Sequence, residues 1–147
     1  MPFGPSQVLS KTEGALLDKL QFSRGLVGLY EFKSIRDDAL AQANNRYPRA
    51  TQTDGHGDAF RHAYWNALMT REFGIEFAKQ FATAHEGLAD TSDAEAMDLY
   101  NNEVGRRIPM ENPNASPQEL ADLVQDAVKN GEMVVIDKKA NLLGAMK

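Results

Sequence analysis

A chain of 147 residues with 42% hydrophobic and 25% charged side chains is long enough to close one hydrophobic core, burying roughly two thirds of its unfolded surface. That composition excludes a disordered or membrane-spanning protein, and no apolar run approaches the roughly 20 residues of a transmembrane helix. The formal net charge of -5 argues against general nucleic-acid binding by phosphate neutralisation, although a local basic cleft would serve an enzyme that only cuts a nucleic acid. The absence of cysteine removes disulfides, thiolate nucleophiles and cysteine-based zinc sites.

Taken in order, residues 1–11 read as an irregular lead-in rich in proline and glycine. Met1-Pro2-Phe3-Gly4-Pro5-Ser6 lacks the basic and apolar regions of a signal peptide, so export is expected by another route or within a larger parent chain. Thr12 caps a first helix with Leu16, Leu17 and Leu20 on its apolar stripe, which Gly25 and Gly28 interrupt. Leu26, Leu29, Tyr30 and Phe32 are expected to be buried near this break. A second helix is predicted from Ser34 to Asn44, with Ile35, Ala39, Leu40 and Ala43 inward, ending before Pro48.

A polar, glycine-punctuated loop over residues 48–57 leads to a helix predicted from Asp58 to Phe73, with Asp58 at its positive end. The next, from Ile75 to Leu88, is expected to bury Phe77, Ala78, Phe81 and Ala82. A helix from Ala94 to Arg107 carries Met97, Tyr100, Val104 and Ile108 at helical spacing, and Pro109 is expected to end it. Ser116-Pro117-Gln118-Glu119 is a capping box opening a helix with Leu120, Leu123, Val124, Ala127 and Val128, closed at Asn130-Gly131. Met133-Val134-Val135-Ile136 is strand-like and leaves room for a short C-terminal β-hairpin with Leu142 and Leu143. The expected architecture is mainly α: one compact bundle of about five to six helices, with residues 54–108 as its chemistry-bearing core.

That core opens with His56-Gly57-Asp58-Ala59-Phe60-Arg61-His62-Ala63-Tyr64-Trp65-Asn66. On a helix Asp58 and His62 share a face. There the acid and the imidazole either bind a metal together, or the acid orients the ring and raises its basicity. His56 reaches the same space from the glycine-flanked turn. His85 lies on the stripe of Ala78, Phe81 and Ala82, so it points inward and needs a partner or a ligand. Glu86 stands beside it at the rim. Across one short turn the helices of His62 and His85 are expected to pack antiparallel. Asp98 and Asn102 lie on one side of the following helix, with Asn101 beside its apolar stripe and Arg106 one turn on.

Asn101 and Asn102 are costly to bury unless their amides are matched, so the pair suggests substrate binding or an internal network. Arg61 and Arg106 suit a phosphate or carboxylate, and Tyr64, Trp65 and Asn66 complete the expected substrate-facing set. The sequence has no serine-hydrolase elbow, phosphate loop or H-E-x-x-H helix. What remains is a histidine and carboxylate site suited to activating water, with Asp58, His62, His85 and Glu86 as catalytic groups. His56, Asp58, His62 and His85 are its candidate ligands for a divalent cation, zinc foremost. The alternative is a non-enzymatic membrane-disrupting or protein-binding module in which the same residues form a structural network.

Three ordered motifs, Asp58-Ala59-Phe60-Arg61-His62-Ala63-Tyr64-Trp65-Asn66-Ala67-Leu68, Ala84-His85-Glu86 and Met97-Asp98-Leu99-Tyr100-Asn101-Asn102-Glu103-Val104-Gly105-Arg106, resemble a little-characterised bacterial domain family. Its members occur in secreted proteins and at the C-terminal tips of Rhs-repeat and other polymorphic toxins. The resemblance implies an effector delivered into a competing bacterial cell as part of a larger secreted protein and neutralised by a cognate immunity protein. It implies no particular reaction. A weaker similarity, in residue types and spacing only, is to helical zinc-dependent phosphodiesterases such as bacterial phospholipase C, which have more histidines.

Overall fold

The structure, a computed structural model, describes residues 11–86, 92–136 and 142–143. The irregular lead-in expected over residues 1–11 lies outside these residues, except that Lys11 is already helical, and so do residues 137–141 within the expected hairpin. Helix α1 spans Lys11–Arg46, but at Gly25 its backbone leaves helical angles (φ 71°, ψ -163°), a combination open in practice only to glycine. The N-terminal arm buries Leu16, Leu17 and Leu20, as the stripe predicts. Beyond Gly25 the expectation fails in part. Phe32 is buried and Leu29 packs against the core, but Leu26 and Tyr30 are 72% and 73% exposed. The helix changes direction at Gly25, so apolar residues on either side of it no longer share one axis or one face. The second arm continues helical from residue 26 rather than starting at Ser34; Ala39 and Ala43 are buried, whereas Leu40 is exposed.

After a 3-10 turn at Arg49–Thr51, helix α2 (His56–Phe73) runs through the middle of the molecule, packed by α1, α3 (Ile75–Glu86), α4 (Ser92–Glu111) and α5 (Pro117–Lys129). Being surrounded, it is buried on almost every side, which is why it shows no single apolar stripe. Gly74 alone separates α2 from α3 (φ 95°). The ring pairs Phe73 with Phe77, Trp65 with Phe81 and His62 with His85 run in opposite directions along the two helices, so α2 and α3 are antiparallel, as predicted.

Helix α4 comes directly against the backbone of α2 at Gly105, where a Cβ would stand 2.1 Å from the carbonyl oxygen of Ala63. Pro109 does not end this helix. A proline removes one backbone donor without forbidding the residues after it, and α4 continues to Glu111 while the amide of Asn112 caps the carbonyl of Ile108 (2.9 Å).

Helix α5 starts with the predicted capping box: the Ser116 hydroxyl accepts from the Glu119 N–H (3.1 Å) and the Glu119 carboxylate accepts from the Ser116 N–H (2.9 Å). It ends with Gly131 in the left-handed region (φ 80°), its N–H on Val128 and that of Glu132 on Ala127, the paired bonds that let glycine close a helix. Beyond it β1 (Val135–Ile136) pairs antiparallel with β2 (Leu142–Leu143), Val135 opposite Leu143. The architecture is the compact all-α bundle with a minimal hairpin that the sequence implies.

Candidate functional site

The first turn of α2 carries an acid because three of its N–H groups have no helical partner and its dipole favours negative charge. Asp58 occupies that turn and is 5% exposed. Asp54 adopts a left-handed backbone (φ 60°), and its N–H donates to Asp58 Oδ2 (2.7 Å). One helical turn on, His62 Nε2 lies 3.2 Å from Asp58 Oδ1. From α4, Asp98 Oδ1 comes within 3.5 Å of the same nitrogen. One ligand atom each from Asp58, His62 and Asp98 lies within 4.8 Å of the other two, and all three residues are buried. The group can hold a metal ion.

Arg61 lies beside it, Nη2 donating to Asp58 Oδ1 (2.8 Å) and 3.4 Å from His62 Nε2. Burial pushes the Asp58 carboxyl upward. The bond to His62, the charges of His62 and Arg61, and the Asp54 N–H together outweigh it and hold the carboxyl down at about 2, so Asp58 is anionic across the neutral range and ready to ligate.

Across the α2–α3 contact, the His85 ring centroid is 6.5 Å from that of His62. The imidazole lies nearly parallel to Phe81 (15°) and edge-on to Trp65 (84°, 5.3 Å). Its Nδ1 is 3.0 Å from Oε2 of Glu13, a fully buried carboxylate on the N-terminal arm of α1. His85 and Arg61 keep side-chain exposures of 34% and 30% and form the solvent side of the group.

One turn deeper the chemistry becomes internal. Asn66 donates to the His62 carbonyl and to Asn102 Oδ1 (both 2.9 Å), and its own oxygen accepts from Arg106 Nη1 (3.0 Å). Burial lowers the Arg106 pKa. This network ties α2 to α4 directly beneath His62 and Asp98.

The pattern of a family described as a domain of unknown function (DUF6973) matches residues 20–132. The chain belongs to this family. No curated protein and no solved structure matches it.

Within the DUF6973 region the structure brings Asp58, His62 and His85 together as expected, with Trp65 packed against His85; Arg61, expected on another face of the helix from His62, reaches the same group through its long side chain. Other expectations are corrected. His56 is absent from the ligand group found among the described residues; as the first residue of α2 it lines a groove with Tyr47, Gln125, Val128 and Lys129. His85 is also outside that group and is held instead by Glu13. Tyr64 is buried with its hydroxyl 3.1 Å from both Asp38 Oδ2 and the Pro117 carbonyl, because it follows His62 by two residues and so faces away from it. Asn101 uses its amide at both ends on the backbone of Val134 (2.8 and 2.9 Å), which anchors the segment before β1 and leaves substrate recognition to others. Asn66, Asn102 and Arg106 are joined to one another inside the network. Glu86 ends α3, and its side chain lies outside the described residues.

Two contributors escaped the sequence reading. Asp98 was visible only as a polar neighbour of Asn102. Glu13 had a clearer signal, an acid at helical spacing with Leu16, Leu17 and Leu20 on a stripe that is otherwise apolar.

Proposed function

We propose that this DUF6973 domain is a hydrolase built on a divalent-cation centre of Asp58, His62 and Asp98, acting on a phosphodiester or cell-envelope substrate. The observation that carries the reading is the convergence of three buried donor atoms within 4.8 Å. One imidazole and two carboxylates make a three-ligand shell that leaves positions open for water, as catalytic zinc sites do, and zinc is the ion we assign. A bound ion supplies a Lewis acid and a water acidified toward neutrality.

The chain's own residues supply the rest. The ring of His85 accepts a proton from water on the solvent side. Arg61, on a partly exposed side chain beside Asp58, holds an anionic group of the substrate. The motif resemblance supports a biological setting: an antibacterial effector of the polymorphic-toxin kind, delivered into a target cell within a larger secreted protein and inhibited by an immunity protein. No helix among the described residues is long and apolar enough to cross a membrane.

The network of buried Asn66 and Asn102 with half-buried Arg106 favours a second reading, a membrane-disrupting or protein-binding module in which the polar cluster is structural. Expression of the domain in a bacterium separates the two. Hydrolysis predicts that His62→Ala and His85→Ala abolish toxicity with the helical circular dichroism intact. The structural reading predicts chiefly a lower melting temperature. Full toxicity in both variants would sink the hydrolase.

A further inference from the structure

We infer that Glu13 is a positioning residue for His85, and that the candidate site therefore extends into a segment upstream of the family-matched region. The inference rests on the reading of His85 as the base of that site. Glu13 is completely buried and lies outside residues 20–132. A carboxylate in such a place is costly unless matched, and Glu13 presents Oε2 at 3.0 Å to His85 Nδ1. With the carboxylate oxygen as acceptor, this contact selects the Nδ1–H tautomer and leaves Nε2 as the basic nitrogen. This is the tautomer that a free histidine side chain disfavours. The parallel Phe81 ring and the edge-on Trp65 fix the plane of the imidazole, and Glu13 fixes which nitrogen is basic.

The arm bearing Glu13 is anchored by Leu16, Leu17 and Leu20 and joins the rest of α1 through the glycine-only backbone at Gly25. Residues 11–24 complete the base of a site whose metal ligands all lie within the family region.

The test is nitrogen-15 NMR of the His85 ring in the full chain, beside Glu13→Gln, Glu13→Ala and Leu16→Ala. The Nδ1-protonated form should dominate in the parent and in Leu16→Ala, which loosens the same arm without touching the histidine, and should give way to the Nε2-protonated form in Glu13→Ala, where no acceptor remains. In parallel, hydrolysis of bis(p-nitrophenyl) phosphate should fall roughly 10- to 100-fold in Glu13→Gln, the range for removing a partner that orients a working histidine, with zinc stoichiometry unchanged. An unaltered tautomer in Glu13→Ala, which removes the acceptor, overturns the inference, as does an altered tautomer with full hydrolysis. Absence of zinc binding and hydrolysis in the parent chain would instead remove the hydrolase reading, while the tautomer still reports on Glu13 itself.

Discussion

Gly105 is the position at which a single carbon tests the architecture. A Cβ there would lie 2.1 Å from the Ala63 carbonyl oxygen and 2.6 Å from both its carbonyl carbon and Cα. These are backbone atoms of a buried central helix, so no rotamer change relieves the clash, and α4 must withdraw from α2 by roughly 1 Å to restore ordinary contact. Overpacking of this kind costs about 3 kcal/mol at the upper end, against which alanine recovers about 1 kcal/mol of helix propensity. Gly105→Ala should therefore lose about 2 kcal/mol, or about 6 °C in melting temperature for a chain of this size. Because α4 carries Asp98 toward His62, 3.5 Å away, the same displacement should weaken metal binding. Gly14→Ala is the matched control: nothing lies within 4 Å of its added carbon, so it should be neutral or stabilising by up to about 1 kcal/mol. Thermal denaturation followed by circular dichroism reads both. A Gly105→Ala variant as stable as the parent would refute the close crossing.

Three further outcomes are expected. Asn101→Ala strips both hydrogen bonds from the Val134 backbone and should cost about 1–3 kcal/mol, with hydrogen exchange at Val134 accelerated well beyond that of α5; unchanged protection there would contradict the anchor. Asp58, held at about 2 against an ordinary 3.8, adds ~2 kcal/mol to the metal-free protein that is fully present above about pH 4 and lost as pH falls toward about 2. The stability difference between the parent and Asp58→Asn should accordingly shrink over that window, and a difference independent of pH would exclude this origin. Ser116→Ala removes one half of the α5 capping box and should cost about 1 kcal/mol in urea denaturation; no measurable loss would mean that water caps α5 equally well.

How much of this was legible in the sequence depended on whether a residue acts through its neighbours in the chain or across the fold. The capping box at Ser116 and Glu119, the stop at Gly131 and the hairpin partners of Val135 and Ile136 are local, and the chain states them directly. The antiparallel contact of His62 with His85 followed from one short turn at Gly74. Exposure of Leu26 and Tyr30 did not follow, because a periodic pattern says nothing of how far the backbone swings at Gly25. Asn101 and Asn102 are adjacent and chemically identical, yet one binds a backbone segment from beyond α5 and the other a network on α2. Only the tertiary packing separates them. Asp98 reaches His62 from a different helix, and Glu13 reaches His85 across 72 positions of chain, so neither partnership has a sequence spacing to betray it.

The central claim, that Asp58, His62 and Asp98 form a cation centre, is tested most directly by calorimetric titration of the metal-free protein with zinc. One ion per chain should bind to the parent, with affinity at least about 100-fold weaker in Asp98→Asn and lost in His62→Ala, both variants keeping their helical circular dichroism. No binding to the parent, or undiminished binding in Asp98→Asn, would contradict the account.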